Sequence, residues 1–299
     1  MSASSSYQTM IPSSADIKYK TLKFLGGGMD GVAVLAVPKS GEQNLDSCIA
    51  LKILMDDKTT SVSKELLIQL KGMESKEDHL IAAVYDYQPI EHPEWHCMAY
   101  IPGCSIEQLL KRDDFQDGMP PTVILHVLSE LIRVQEHLRT NKLTHTDLGA
   151  GGNVMLSNNG TDAWPSVKLV DFSGILSYNK PKEAQNVFQL VSSMTMDQEA
   201  VPKCWKLSTF QAHDVTTADE VYKNCNRLQY SRDQELLQEL WEFCREKTKG
   251  LKQRLRDDAA LQKLSKVLDT AGTTEQDVER LVKTPEYTME VQRFDATSK

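Results

Sequence analysis

The stretch HTDLGAGGNVML at 145–156 sets Asp147 and Asn153 on one short glycine-rich loop, and VDF at 170–172 adds Asp171 directly after the next apolar run. Two carboxylates and an amide oxygen are hard ligands of the kind that hold Mg²⁺, and a carboxylate beside them can orient a hydroxyl toward a phosphate chain. Upstream, LGGGMDG at 25–31 offers backbone N–H groups with few side chains in the way, which suits phosphate oxygens. Lys52 stands alone in the apolar run IALKIL at 49–54, where a cation must find a partner or lose its charge. Each feature also has a plain structural reading: a glycine-rich hairpin turn, an outward-facing edge lysine, a carboxylate capping a turn. Taken together they are the groups that a site for a phosphate chain and its metal would need.

These residues need elements to hold them. LKFLGG, VAVLAV and CIALKIL, within 20–55, are short β-rich runs split by Gly, Pro and Asn/Asp signals, with KSGEQNLDS at 39–47 as a hairpin loop. TSVSKELLIQLKGM at 60–73 carries Val62, Leu66, Leu67 and Leu70 at helical spacing, with Ser61 as its N-cap. IAAVYDYQPI (81–90) and EWHCMAYI (94–101) add two strands, which predicts a small antiparallel sheet of five strands with one helix. IPGCSIEQLLKR at 101–112 is a turn feeding a helix. PTVILHVLSELIRVQEHLRT at 121–140 puts Ile124, Val127, Leu128, Leu131, Val134 and Leu138 on one face of a long amphipathic helix. VML (154–156) and VKLVDF (167–172) read as strands around the polar loop SNNGTDAWPS.

The remaining pattern is helical at 183–194, 217–228, 232–249, 257–269 and 274–284, the last opened by a capping box of Thr273 and Gln276. The Ser-rich start, 1–16, has too little apolar surface to offset chain entropy and reads as a disordered tail; 287–299 is a weakly patterned second tail. The fold class expected is α+β and bilobal, with a β-rich lobe at 17–98, an α-rich lobe at 99–286, and a hinge at MAYIPG (98–103). Ligands favour clefts between such lobes.

The 299 residues supply ample core material, with 40% apolar and 25% charged side chains. A net charge of −8 argues against binding nucleic acid through phosphate neutralisation. The basic run KTKGLKQRLR at 247–256 reads as a solvated helix face. Cys48, Cys97, Cys104, Cys204, Cys225 and Cys244 show no zinc spacing and suit a reducing compartment, cytoplasmic or nuclear. The N-terminus has no apolar signal core, and no run approaches the ~20 residues that span a bilayer. A soluble protein without a membrane partner is expected.

In this order the motifs resemble the protein-kinase-like fold family over residues 20–195. Gly26, Gly28 and Gly31 match G-x-G-x-x-G, with Ala33 where a Val is usual. The resemblance implies ATP and Mg²⁺ as cofactors, with Lys52 reaching the phosphates and pairing with Glu65 on the next helix. HTDL at 145–148 matches H-R-D-L with Thr146 in place of Arg, so Asp147 becomes the base that orients the acceptor hydroxyl and His145 a structural residue. Asn153 and Asp171 become the metal ligands. Met98 takes the gatekeeper position, the backbones of Ala99 and Ile101 face adenine, and Val34, Ala50 and Met155 or Leu156 enclose its ring.

The departures are specific. Asn153 lies six residues beyond Asp147 where the family has five; either Gly149, Gly151 and Gly152 absorb the extra residue as a bulge, or Asn153 is out of place for a metal. Gly149 stands where Ser/Thr kinases carry a Lys, and Ser173 follows Asp171-Phe172 where a Gly is usual. About a dozen residues link Asp171 to the next helix; A-P-E is absent, and Asn186 stands where the supporting helix usually has Asp. Two readings follow. The first is an ATP- and Mg²⁺-dependent phosphotransferase acting on protein Ser/Thr or a small-molecule hydroxyl. The second is a pseudokinase serving as a binding or scaffold module for a protein partner.

Overall fold

The computed structural model describes residues 11–28, 30–54, 62–73, 80–115, 118–149, 151–158, 164–177 and 259–285, with residues 186, 187, 189–191, 193 and 194. Ser61 and the helices expected at 217–228 and 232–249 lie outside the described residues. The chain divides into two compact units. Met1–Glu77, Ala82–Tyr100 and Thr273–Lys299 make the first; Asp78–Ile81 and Ile101–Gly272 make the second.

In the first unit β1 (Tyr19–Gly28), β2 (Gly31–Pro38), β3 (Ile49–Leu54), β4 (Val84–Tyr87) and β5 (Trp95–Ala99) form an antiparallel sheet in the order β1-β2-β3-β5-β4. Period-two alternation divides its side chains. Val32, Val34, Ala36, Ile49, Leu51, Ile53, Trp95 and Cys97 form one buried cluster with Ala15. Ala15 belongs to α1 (Ser13–Asp16), so ordered chain begins before Ile17. The reason is local: Ala15 is fully buried, and Trp95 Nε1 donates to Ser14 Oγ at 2.9 Å. Helix α2 (Lys64–Met73) buries Leu67, Leu70 and Met73, and Ser63 Oγ accepts from the Leu66 amide at 3.2 Å as its cap.

The second unit carries two small sheets, β6-β8-β9 and β7-β10, with β6 Gly103–Ser105, β7 Leu143–His145, β8 Val154–Ser157, β9 Ser166–Leu169 and β10 Ile175–Ser177. Helix α3 (Ile106–Leu110) starts on a capping box of Ser105 and Gln108. Helix α4 (Pro121–Thr140) has the predicted bounds and opens on a proline, whose missing N–H costs nothing there. It is more deeply buried than a one-faced stripe: Val123, Leu125 and Ile132 join the six expected residues in the core. Two of its buried polar groups are met, His126 Nε2 lying 2.7 Å from the Pro165 carbonyl and Glu130 pairing with Arg133 at 2.7 Å. Residues 186–194, where described, are helical and bury Val187, Leu190, Val191 and Met194. Helix α5 (Ala259–Ala271) buries Leu261, Leu264, Val267 and Leu268.

Helix α6 (Glu275–Val282) follows α5 in sequence but packs in the first unit, with Val278 against Leu22, Leu35, Val37 and Cys48. Its capping box is Thr274 with Asp277, one residue later than the Thr273–Gln276 pair expected, because Thr273 is buried and bonded to Tyr100. Among the described residues no helix is long and apolar enough to cross a membrane.

The turn between α4 and β7 puts Lys142 at φ 59°, a left-handed conformation that glycine adopts without a Cβ penalty. Its side chain is exposed. Lys142→Gly should therefore stabilise the chain by about 0.5–1 kcal/mol, read as a higher denaturant midpoint at unchanged slope; a lower midpoint would show that the lysine side chain offsets the strain.

Candidate functional site

In the first unit the glycine segment is the hairpin joining β1 to β2. Gly28 stands opposite Gly31, and Gly31 needs its residue type: φ is +146°, and an added Cβ would collide with the Ile53 carbonyl oxygen. Gly26 and Gly28 have open space where a Cβ would project, so a ligand can approach their backbone. Lys52 on β3 is 5% exposed and stands between Ala33 on β2 and His96 on β5. Ala50 shares its face and pairs with Met98. Ala99 closes β5, its amide donating to the Ala83 carbonyl at 2.8 Å.

One expected member of this set projects elsewhere, and another differs from Lys52 in exposure. Val34 projects from the opposite face into the Trp95 cluster, while Ala33 shares the face of Ala50 and Lys52. Strand alternation in the sequence carries that information, because residues 33 and 34 cannot point the same way. Glu65, on the first turn of α2, is exposed, whereas Lys52 is buried.

In the second unit three of the expected residues converge. β7 delivers His145 to the start of the loop, and β10 pairs Ile175 with His145. His145 is fully buried; its Nδ1 accepts from the Asp147 amide at 3.3 Å, and its Nε2 lies 3.0 Å from the Asp171 carbonyl and 3.3 Å from that of Val170. A ring that accepts at Nδ1 must carry its proton at Nε2, where carbonyls can accept it. Burial pushes the imidazole pKa down, against the smaller opposing pull of its carbonyl partners and of Asp171 and Asp147. The ring is therefore neutral in the fold. The Thr146 amide and hydroxyl donate to the Gly174 carbonyl at 2.7 and 2.9 Å.

Between Asp147 and Asn153 the chain reverses at Gly151. Gly151 takes φ +74°, its amide donates to the Leu148 carbonyl at 2.9 Å, and the chain turns back. Asn153 Nδ2 then donates to both the Asp147 carbonyl at 2.8 Å and Asp147 Oδ2 at 2.9 Å. The Val170 amide donates to the Asn153 carbonyl at 3.0 Å, which sets Asp171 beside this pair. Asp171 has φ 64° and ψ 98°, and its Oδ1 accepts from the Ser173 amide at 3.3 Å and the Ser173 hydroxyl at 2.7 Å. Asp147 is exposed, and Asn153 and Asp171 are half-buried. Ile101 is buried, and Met155 is half-buried opposite Lys168 on β9. The residue whose importance sequence spacing understated is Ser173: a hydroxyl two positions after an Asp can reach back to its carboxylate, and it does.

A neutral, buried His145 makes a signed prediction. The unfolded chain takes up a proton near pH 6.5 and the folded chain only below that, so this histidine's contribution is complete above about pH 6.5 and declines as pH falls. The stability advantage of wild type over His145→Gln should shrink between pH 7 and pH 5 in urea titrations. An advantage independent of pH would reject the neutral assignment.

The protein tyrosine and serine/threonine kinase family matches the chain over residues 19–206. Among solved structures, the crystal structure of the Mycobacterium tuberculosis PknI kinase domain superposes with a TM-score of 0.52 at 17% identity, covering 83% of this chain and 100% of that one. A double mutant of the same domain matches with a TM-score of 0.52 at 15% identity, covering 83% of this chain and 99% of that one. No curated protein matches the chain in sequence. At this identity the structures speak for the fold alone; the family match covers more than half of the chain. On that match, with the glycine hairpin, the Lys52 strand and the Asp147–Asn153–Asp171 cluster, the chain belongs to the protein tyrosine and serine/threonine kinase family.

Proposed function

We propose that the chain is an ATP- and Mg²⁺-dependent phosphotransferase that acts on a hydroxyl, of protein Ser/Thr or of a small molecule. The observation that carries the reading is the pair of hydrogen bonds that Asn153 Nδ2 donates to Asp147, which keeps the two residues together despite the extra residue between them. Asn153 spends its amide nitrogen there, so its oxygen is the atom suited to a cation. With the Asp171 carboxylate this makes a hard-oxygen donor pair of the kind Mg²⁺ takes, which uses few protein ligands and completes its shell with phosphates and water. Bound Mg²⁺ would supply charge neutralisation on the phosphates.

The chain's own residues then divide the work. Asp147 is exposed and accepts the acceptor hydroxyl's proton as a hydrogen bond, aiming its oxygen at the terminal phosphate. Lys52 offers its ammonium to the phosphates, and Glu65 would turn in to pair with it. Gly26, Gly28 and Gly31 offer backbone N–H groups. Ala50, Met98, Met155 and the backbones of Ala99 and Ile101 receive the base, with Ala33 on the sheet face where Val34 was expected. Positioning and charge compensation supply most of the rate. Buried Cys48, Cys97 and Cys104 are free thiols, which suits the cytoplasm or nucleus.

The second reading, a pseudokinase that binds without turnover, draws on two observations. The Ser173 hydroxyl occupies Asp171 Oδ1, and Glu65 faces solvent. The two readings separate cleanly. ATP with Mg²⁺ at 100 times its Kd should raise stability by about 2.7 kcal/mol in a thermal shift. Wild type should transfer labelled phosphate to a peptide or small-metabolite acceptor, and Asp147→Asn and Asp171→Asn should each lose at least about a hundredfold in rate. Binding without transfer selects the pseudokinase; equal transfer by all three proteins rejects the assigned roles.

A further inference from the structure

Helix α6 is eight residues long, too short to hold together alone, so its conformation depends on what it docks against. It is tied to the first unit at three places. At its start, the Tyr100 hydroxyl donates to Thr273 Oγ1 at 2.7 Å and accepts from the Thr273 amide at 3.2 Å, while Glu275 Oε2 accepts from the Leu45 amide at 3.0 Å. In its middle, Val278 is fully buried with Leu22 of β1, Leu35 and Val37 of β2, and Cys48. At its end, Lys20 Nζ donates to the Val282 carbonyl at 2.6 Å and the Thr284 carbonyl at 2.9 Å, placing a cation on the helix's negative terminus.

The location matters more than the number of ties. Leu35 pairs with Ala50, and Ala50 with Met98, so the apolar face that α6 covers runs on into the face bearing Ala50, Met98 and Lys52. Leu25, directly before the glycine hairpin, packs on the same cluster, as does the Tyr100 side chain. Tyr100 follows Ala99, whose backbone is assigned to the base. One helix thus grips the strand before the glycine hairpin, the strand after it, and the exit of β5.

We propose that α6 is a positioning strap: by tying Tyr100 to β1 and β2 it fixes the spacing of the elements that receive the nucleotide's base, and nucleotide binding depends on its docking. The inference rests on the nucleotide reading above. Holding a site in its bound geometry beforehand removes an ordering cost that binding would otherwise meet. Undocking α6 releases Tyr100 and Leu25 and restores that cost.

The test uses the full chain, ATP with Mg²⁺, calorimetric Kd values and amide exchange. Val278→Asp places a carboxylate in the apolar contact and should weaken ATP binding about tenfold, within the usual range for coupled sites. Thr273→Val keeps the side-chain volume but removes the hydroxyl from Tyr100, and should weaken binding about threefold while α6 amides stay protected. If Val278→Asp does not fold, Thr273→Val and Lys20→Met decide. ATP should also slow exchange in α6 of the wild type. Unchanged Kd in Thr273→Val or in variants whose α6 exchanges faster, or tighter binding on undocking, overturns the strap and leaves the nucleotide reading standing. A wild type that binds no ATP overturns both.

Discussion

One neutral imidazole holds the second unit's functional loop together. His145 accepts the Asp147 amide on one nitrogen and donates to the Asp171 and Val170 carbonyls from the other. A single ring therefore sets the spacing between the two acids on which the proposed chemistry depends. It can do so only in one tautomer, which its amide and carbonyl partners select, and in the uncharged state, which its burial favours. The short β7–β10 pairing and the two Thr146 bonds to Gly174 keep the ring's surroundings from drifting.

Around that ring the loop depends on backbone conformation in one place and on a side-chain partner in another. A left-handed Gly151 turns the chain between Asp147 and Asn153, and Asn153 bonds Asp147. Ser173 is the opposite case. It leaves spacing untouched and adds a hydroxyl that engages the Asp171 carboxylate. A hydroxyl donating to a carboxylate is a charge-assisted bond, so Ser173 fixes the orientation of the Asp171 side chain.

The first unit makes a comparable point with faces. A strand presents alternate residues to opposite sides, so a shift of one position exchanges core for ligand face. Val34 anchors the Trp95 cluster, and Ala33 takes its place beside Lys52 and Ala50. The alternation was available in VAVLAV, but only the pairing of β2 with β3 says which parity faces Lys52. The α6 helix was readable as a helix. Its docking on Leu22, Leu35 and Val37 was not, because those partners lie more than two hundred residues away in sequence and share no local pattern with it.

What the sequence determined by itself is whatever depends on neighbours along the chain. The five strands, the 121–140 helix, the glycine hairpin and the ordered acidic motifs all follow from local periodicity, turn chemistry and spacing. Tertiary structure decided what depends on closure between distant segments. It joined Asn153 to Asp147 across an irregular loop and routed His145 to the Asp171 backbone. It left Glu65 facing solvent and sent the last described helix to the sheet. Those outcomes turn on which buried polar group finds which partner, and that competition is settled only when the whole unit packs.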